Sequence, residues 1–183
     1  MLELRGNSGG QDTYADLWIK NFCNKEFESK TLYSTKQSNF YRYVVGERCD
    51  TEFGNWVTTL NSNGTVWEND TLVFVLMDEN VASSGEGFVN MLTMGKKVIL
   101  VGSSTAGCIN FGNIFEYYLP NSGISMWFGM SIAFYESLEK QDGIGFFPDL
   151  WVEPGKSLDA VVRLCKYYGL IEDKSDFGDL FLQ

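Results

Sequence analysis

The stretch Leu72-Val-Phe-Val-Leu-Met77-Asp-Glu-Asn80-Val-Ala-Ser83-Ser84-Gly85-Glu86 decides how this chain is read. Its short apolar run has the length and composition of a buried strand, which breaks and then opens a helix on Ser83. A hydroxyl at such a junction lies beside free backbone N–H groups and the positive end of a helix dipole. That environment suits a nucleophile whose reaction develops a negative oxygen. A glycine-rich element, Leu4-Arg5-Gly6-Asn7-Ser8-Gly9-Gly10, also stands just ahead of a helix. Two strand–turn–helix junctions, one with serine and one with bare glycines, suggest a nucleophile facing an oxyanion hole.

Outward from these junctions the pattern is α/β. Met1 to Leu4 reads as a short apolar strand. Tyr14, Leu17, Trp18 and Phe22 recur at helical spacing over about 12–24. A helix at about 84–94 carries Phe88, Val89, Met91 and Leu92 on an apolar face, with Gly95 as its stop. Val98-Ile-Leu-Val101 follows, so strand, helix and strand make a right-handed parallel crossover. Asn113–Leu119 and Ile124–Gly129, joined by Pro120-Asn-Ser-Gly123, form an appended β-hairpin, with a further strand at 131–135. Ser157 is expected to cap a helix running to about Tyr168. Residues 25–70 are polar and aromatic, with a strand-like Phe40–Val45 and a turn at Asn61–Gly64; they read as a lid or insertion in one domain spanning 1–183.

Composition removes several classes of function. A net charge of −10 argues against nucleic acid and anionic membrane surfaces, both of which need basic patches. No apolar run is long enough for a membrane span. The four cysteines, Cys23, Cys49, Cys108 and Cys165, have neither CxxC pairing nor histidine companions, so no metal site is expected. No motif calls for a cofactor. Histidine is absent altogether, so a serine–histidine mechanism cannot be completed within these residues. Met1 leads straight into core strand, and the chain is expected to begin inside a larger protein whose N-terminal region is missing.

Four motifs in order resemble the C-terminal processing (tail-specific) and tricorn-core serine proteases. Leu4-Arg-Gly-Asn-Ser-Gly-Gly10 is similar to their Asp-Leu-Arg-x-Asn-x-Gly-Gly signature, with Glu3 in place of the aspartate. Asn80-Val-Ala-Ser83-Ser84-Gly85-Glu86 resembles their nucleophile turn, Val101-Gly-Ser-Ser-Thr105-Ala-Gly107 the following turn, and Gly143-Ile-Gly-Phe-Phe-Pro148-Asp149 the closing segment. The resemblance implies a ClpP/crotonase-like core and a serine endopeptidase acting through an acyl-enzyme on Ser83. The amide of Ser84 would be one oxyanion donor and that of Gly9 or Gly10 the other. Arg5, Asn7, Glu86, Thr105 and Gly107 would support the site. It implies peptide or protein substrates and an extracytoplasmic or cell-envelope location; self-association is a further expectation.

One departure bears on mechanism. Members with a serine–lysine dyad carry the lysine where this chain has Cys108. Lys96 and Lys97 lie past the far end of the helix, roughly 20 Å from Ser83 at about 1.5 Å per residue. The tricorn-like branch takes a histidine from upstream of the first motif, and the Ser-Ser-Gly-Glu wording fits that branch, which puts the base outside this chain.

Each site has a competing reading. Ser83-Ser-Gly-Glu86 is also a capping box, with the serine oxygen on the N3 amide and Glu86 returning to the cap. Gly9 and Gly10 could serve a tight turn alone. A catalytically inactive relative that binds peptides, or an acyl-CoA enzyme of the crotonase type, would share the fold.

Overall fold

The computed structural model describes residues 1–23, 31–46, 53–61, 67–68, 71–135 and 142–172. The chain divides into two compact units. One comprises Met1–Phe27, Thr65–Cys108 and Lys140–Gln183, the other Glu28–Gly64 and Ile109–Glu139.

The first unit is built on a parallel sheet. Its strands are β1 (Leu2–Glu3), β4 (Val73–Met77), β5 (Val98–Gly102) and β8 (Leu150–Trp151), ordered β1-β4-β5-β8. The five apolar residues of β4 are all buried, as a strand flanked on both edges and covered on both faces must be. Burying each such side chain is worth about 1.5–3 kcal/mol, which makes β4 the anchor of the unit. Helix α3 (Ser84–Thr93) carries the chain from β4 to β5 and closes the expected parallel crossover. Every residue from Gly85 to Leu92 is buried, so α3 is a core helix rather than one with a single apolar face. It ends at Met94, and Trp67 packs its ring on Gly95 while donating its indole N–H to Met91 O at 2.9 Å. Helix α1 (Asp12–Cys23) packs on α3 through the Trp18–Phe88 edge-to-face pair.

The last helix, α4 (Ser157–Tyr167), is entered through a 3-10 turn at Pro154–Lys156. Ser157 is therefore its buried first residue and not its cap; the proline-led turn already supplies the bend. Val161 and Cys165 of α4 pack with Phe74, Leu76 and Val101 in the core beneath the sheet. Asp149, just ahead of β8, accepts the Leu100 amide at 2.8 Å and ties the closing segment to β5.

The second unit holds an antiparallel sheet of β2 (Thr31–Lys36), β3 (Trp56–Asn61), β6 (Phe111–Tyr118) and β7 (Ser125–Tyr135), ordered β3-β2-β7-β6. The predicted hairpin and separate strand are here two strands only. β7 runs unbroken for 11 residues, pairing with β6 along its first part and with β2 from Ser131 onward. A hydroxyl pair, Thr35–Ser131 at 2.8 Å, marks that second seam, and Asn113 donates to the same Ser131 oxygen.

Phe40–Val45, read as strand, lies in helix α2 (Asn39–Val45) instead. Ser38 accepts the Tyr41 amide at 3.1 Å as an N-cap, and Phe40 turns its ring edge-on to Tyr117 and Phe128. Local capping and aromatic packing override the strand propensity of this tract. The predicted turn at 61–64 falls almost entirely outside the described residues, as does Cys49.

Candidate active site

The site lies wholly in the first unit, where β4 ends. Beyond Met77, Asp78 accepts the amides of both Gly6 (2.9 Å) and Asn80 (3.1 Å) through one oxygen, and the Asn80 side chain through the other. One carboxylate thus fixes the glycine loop and the serine turn together. Asn7 completes the junction: its carbonyl accepts the Ala82 amide at 3.0 Å, and its side chain accepts the Gly9 amide at 3.1 Å.

Ser83 adopts φ 52°, ψ −122°, a conformation that non-glycine residues rarely take. Such strain costs of the order of 1–3 kcal/mol and persists only where the surroundings over-determine it. Here the Ser83 amide is held by Cys108 O at 3.2 Å, while the Ser83 carbonyl accepts Gly87 N at 2.9 Å. The hydroxyl makes no capping hydrogen bond, and the residue as a whole is half-buried.

The capping-box arrangement is therefore absent, and Glu86 is occupied elsewhere. Fully buried, its Oε1 accepts Thr105 Oγ1 (2.6 Å) and Gly107 N (2.8 Å), and its Oε2 accepts Cys108 N (2.7 Å). Thr105 Oγ1 in turn accepts Phe146 N at 2.8 Å. Three of the sequence motifs, the serine turn, the Thr-Ala-Gly turn and the closing segment, meet on this one carboxylate and hydroxyl.

The glycine loop reaches the serine directly. A Cβ on Gly9, whose φ is +116°, would lie 2.9 Å from Ser83 Cβ and 3.3 Å from Ser84 N. Only glycine permits that approach. Gly85 meets the same loop from the other side, since a Cβ there would strike the Asn7 carbonyl at 2.5 Å. Ser84 Oγ donates to Gly10 O at 3.0 Å. The Gly9 amide is already taken by Asn7, whereas the Ser84 and Gly10 amides have no acceptor among the described residues. Two unspent N–H donors therefore stand on adjoining turns beside a strained serine.

Arg5 does not reach this point. It is locked onto Glu3, with its Nε 2.8 Å from Oε1, and donates to Pro154 O. The Glu3 hydrogen bond raises the guanidinium pKa further above its ordinary value. Cys108 is exposed and free, and its backbone carbonyl and amide bond to Ser83 and Glu86 of the serine turn. Lys96 pairs with Glu68 beyond the opposite end of α3, a helix whose 10 residues alone span about 15 Å from the Ser83 end. Asp78 is the residue that sequence reading missed. The signal was an Asp-x-Asn immediately after an apolar strand, a turn acceptor by type. Among the described residues no cluster of three His, Cys, Asp or Glu side chains could hold a metal, and no helix is long and apolar enough to cross a membrane.

Comparison with known proteins gives two kinds of match. The family model described as Peptidase family S41 matches residues 1–152. A candidate peptidase from Parabacteroides merdae superposes with a TM-score of 0.53 at 24% identity, over 96% of this chain and 52% of its own. A candidate S41 protease from Bacteroides fragilis gives 0.53 at 20% identity, over 93% and 45%. A lipoprotein from Streptococcus agalactiae gives 0.51 at 15% identity, over 91% and 54%. At these identities the likeness is one of fold, and the chain spans about half the length of these three structures. No curated protein matches it.

Proposed function

The chain belongs to peptidase family S41, and from that premise we propose that it is the serine endopeptidase core of its protein, of the tricorn-like branch and with a ClpP/crotonase-like arrangement. Ser83 Oγ attacks the scissile carbonyl carbon as its proton passes to a general base. The carbonyl oxygen, now anionic, takes hydrogen bonds from the Ser84 and Gly10 amides. Collapse breaks the C–N bond, the amine leaves with the proton, and water then hydrolyses the acyl ester to regenerate Ser83. Between Gly9 and Gly10, the engaged amide of Gly9 favours Gly10 as the second donor. Each donor of this type is worth about 3–4 kcal/mol in the transition state.

The base is read as lying outside this chain. The sequence contains no histidine, Cys108 occupies the position that a dyad lysine would fill, and Lys96 is remote. Peptide or protein substrates, and action outside the cytoplasm or at the envelope, belong to the same reading.

The observation that carries the proposal is the strained Ser83, its hydroxyl uncapped, with Gly9 pressed against it. The test is a fluorophosphonate probe on the natural full-length polypeptide, with the modified residue located by mass spectrometry. Adduct at Ser83 is expected, and it should vanish in Ser83→Ala. A folded protein that takes no label would instead favour the second reading, a non-catalytic relative that binds peptides, for which Cys108 and the lack of histidine are the motive.

A further inference from the structure

Beside the paired amides, the first unit opens a cavity of about 480 Å³, within the size range of small-ligand sites. Leu4, Ala15, Trp18 and Phe88 form its apolar wall, between the strand end, α1 and the start of α3. Gly10 and Ser84 form its edge on the active-site side, and their Ser84 Oγ–Gly10 O hydrogen bond pins that edge to the oxyanion turn. No charged side chain lines it among the described residues.

We propose that this cavity is the pocket for the residue on the acyl side of the scissile bond, and that it selects a large apolar side chain such as Phe or Leu. This rests on the peptidase reading above. The geometric reason is connectivity. When a carbonyl oxygen is held by the Ser84 and Gly10 amides, the α-carbon of the acyl residue is one bond from the reacting carbon. The α-carbon on the leaving side is two bonds away. The acyl-side side chain is thus the one delivered to a cavity whose edge is made by the same two residues. The selectivity follows from the wall. Aromatic and aliphatic surface gains by covering an apolar side chain. A carboxylate placed there would lose its hydration and find no cation, in a chain that already carries a net charge of −10.

The pocket can be tested without turnover, because a cleaved acyl-side product ends in a carboxylate that fits the amide pair. Short acetylated polyalanine peptides ending in Phe, Leu or Asp are titrated calorimetrically against the Ser83→Ala form of the natural full-length polypeptide. Phe and Leu ends are expected to bind at least tenfold more tightly than Asp. Gln11 and Tyr14 stand exposed on the cavity rim, so Gln11→Lys and Tyr14→Lys should each narrow that ratio about tenfold. Two independent rim variants guard against one that fails to fold. Equal affinities, no binding of any peptide, or a ratio that neither lysine moves would overturn the pocket. Fluorophosphonate labelling of Ser83 in the unsubstituted protein separates the two ideas. Label with no end-group preference removes the pocket and leaves the peptidase; preference without label keeps the pocket and removes the acyl-enzyme.

Discussion

At the scale of single residues, the site is a place where stability is spent on geometry. Ser83 holds a backbone conformation that glycine tolerates and serine does not. Ser83→Gly should therefore raise the unfolding free energy by about 1 kcal/mol in urea denaturation while abolishing probe labelling. Glu86 is the opposite case, a carboxylate with no substrate to touch and three donors to hold. Glu86→Gln keeps the shape but turns an N–H₂ toward a backbone N–H, and should cost roughly 3 kcal/mol in the same measurement. The thiols divide likewise. Burial pushes the Cys165 pKa up and hides its sulfur, while Cys108 is exposed. Iodoacetamide near pH 8 should modify Cys108 well before Cys165, since the raised pKa leaves less of the reactive thiolate at Cys165. A peptide map of the alkylated native protein would reverse this conclusion if Cys165 reacted first.

At the scale of elements, legibility followed the strength of the local signal. β4, α3 and β5 could be read to within two residues because an unbroken apolar strand and a core helix leave few alternatives. The positions of Gly9 and Glu86 were half legible. A capping box and a turn whose glutamate braces a neighbouring loop share the same four letters, and the three donors that Glu86 accepts are what separate them. The Asp-x-Asn turn was there to be read, but the link from Asp78 to the glycine loop could not be found by spacing, since Gly6 lies 72 residues away. Phe40–Val45 was misread because Phe, Tyr and Val favour strands, while the deciding influences were a serine cap and two aromatic partners distant in sequence. Ser38→Ala should accordingly cost about 1 kcal/mol, with the loss of protection confined to α2 amides in hydrogen exchange.

At the scale of the whole molecule, the two units differ in how much they bury. Among the described residues, the buried apolar side chains fall almost entirely in the first unit, with Ile109 and Ala133 the contributions of the second. In the second unit Phe111, Ile114, Tyr118, Met126 and Trp127 are exposed along β6 and β7. A sheet that buries so little has a lower opening free energy than one built on β4. Hydrogen exchange of the native protein should therefore show β4, β5 and α3 as the slowest amides and β6–β7 exchanging faster. Equal protection across the two sheets would mean that the second unit draws support from contacts beyond those within it.

The twisted backbone at position 83 also leaves a record that evolution can be asked about. Under the proposed mechanism, a duplicated gene relieved of its chemistry has no reason to keep serine there, and substitution to glycine would relax the bend at once. Decayed copies should thus accumulate glycine at this site sooner than alanine, and before they lose the acidic residue that holds the neighbouring turn.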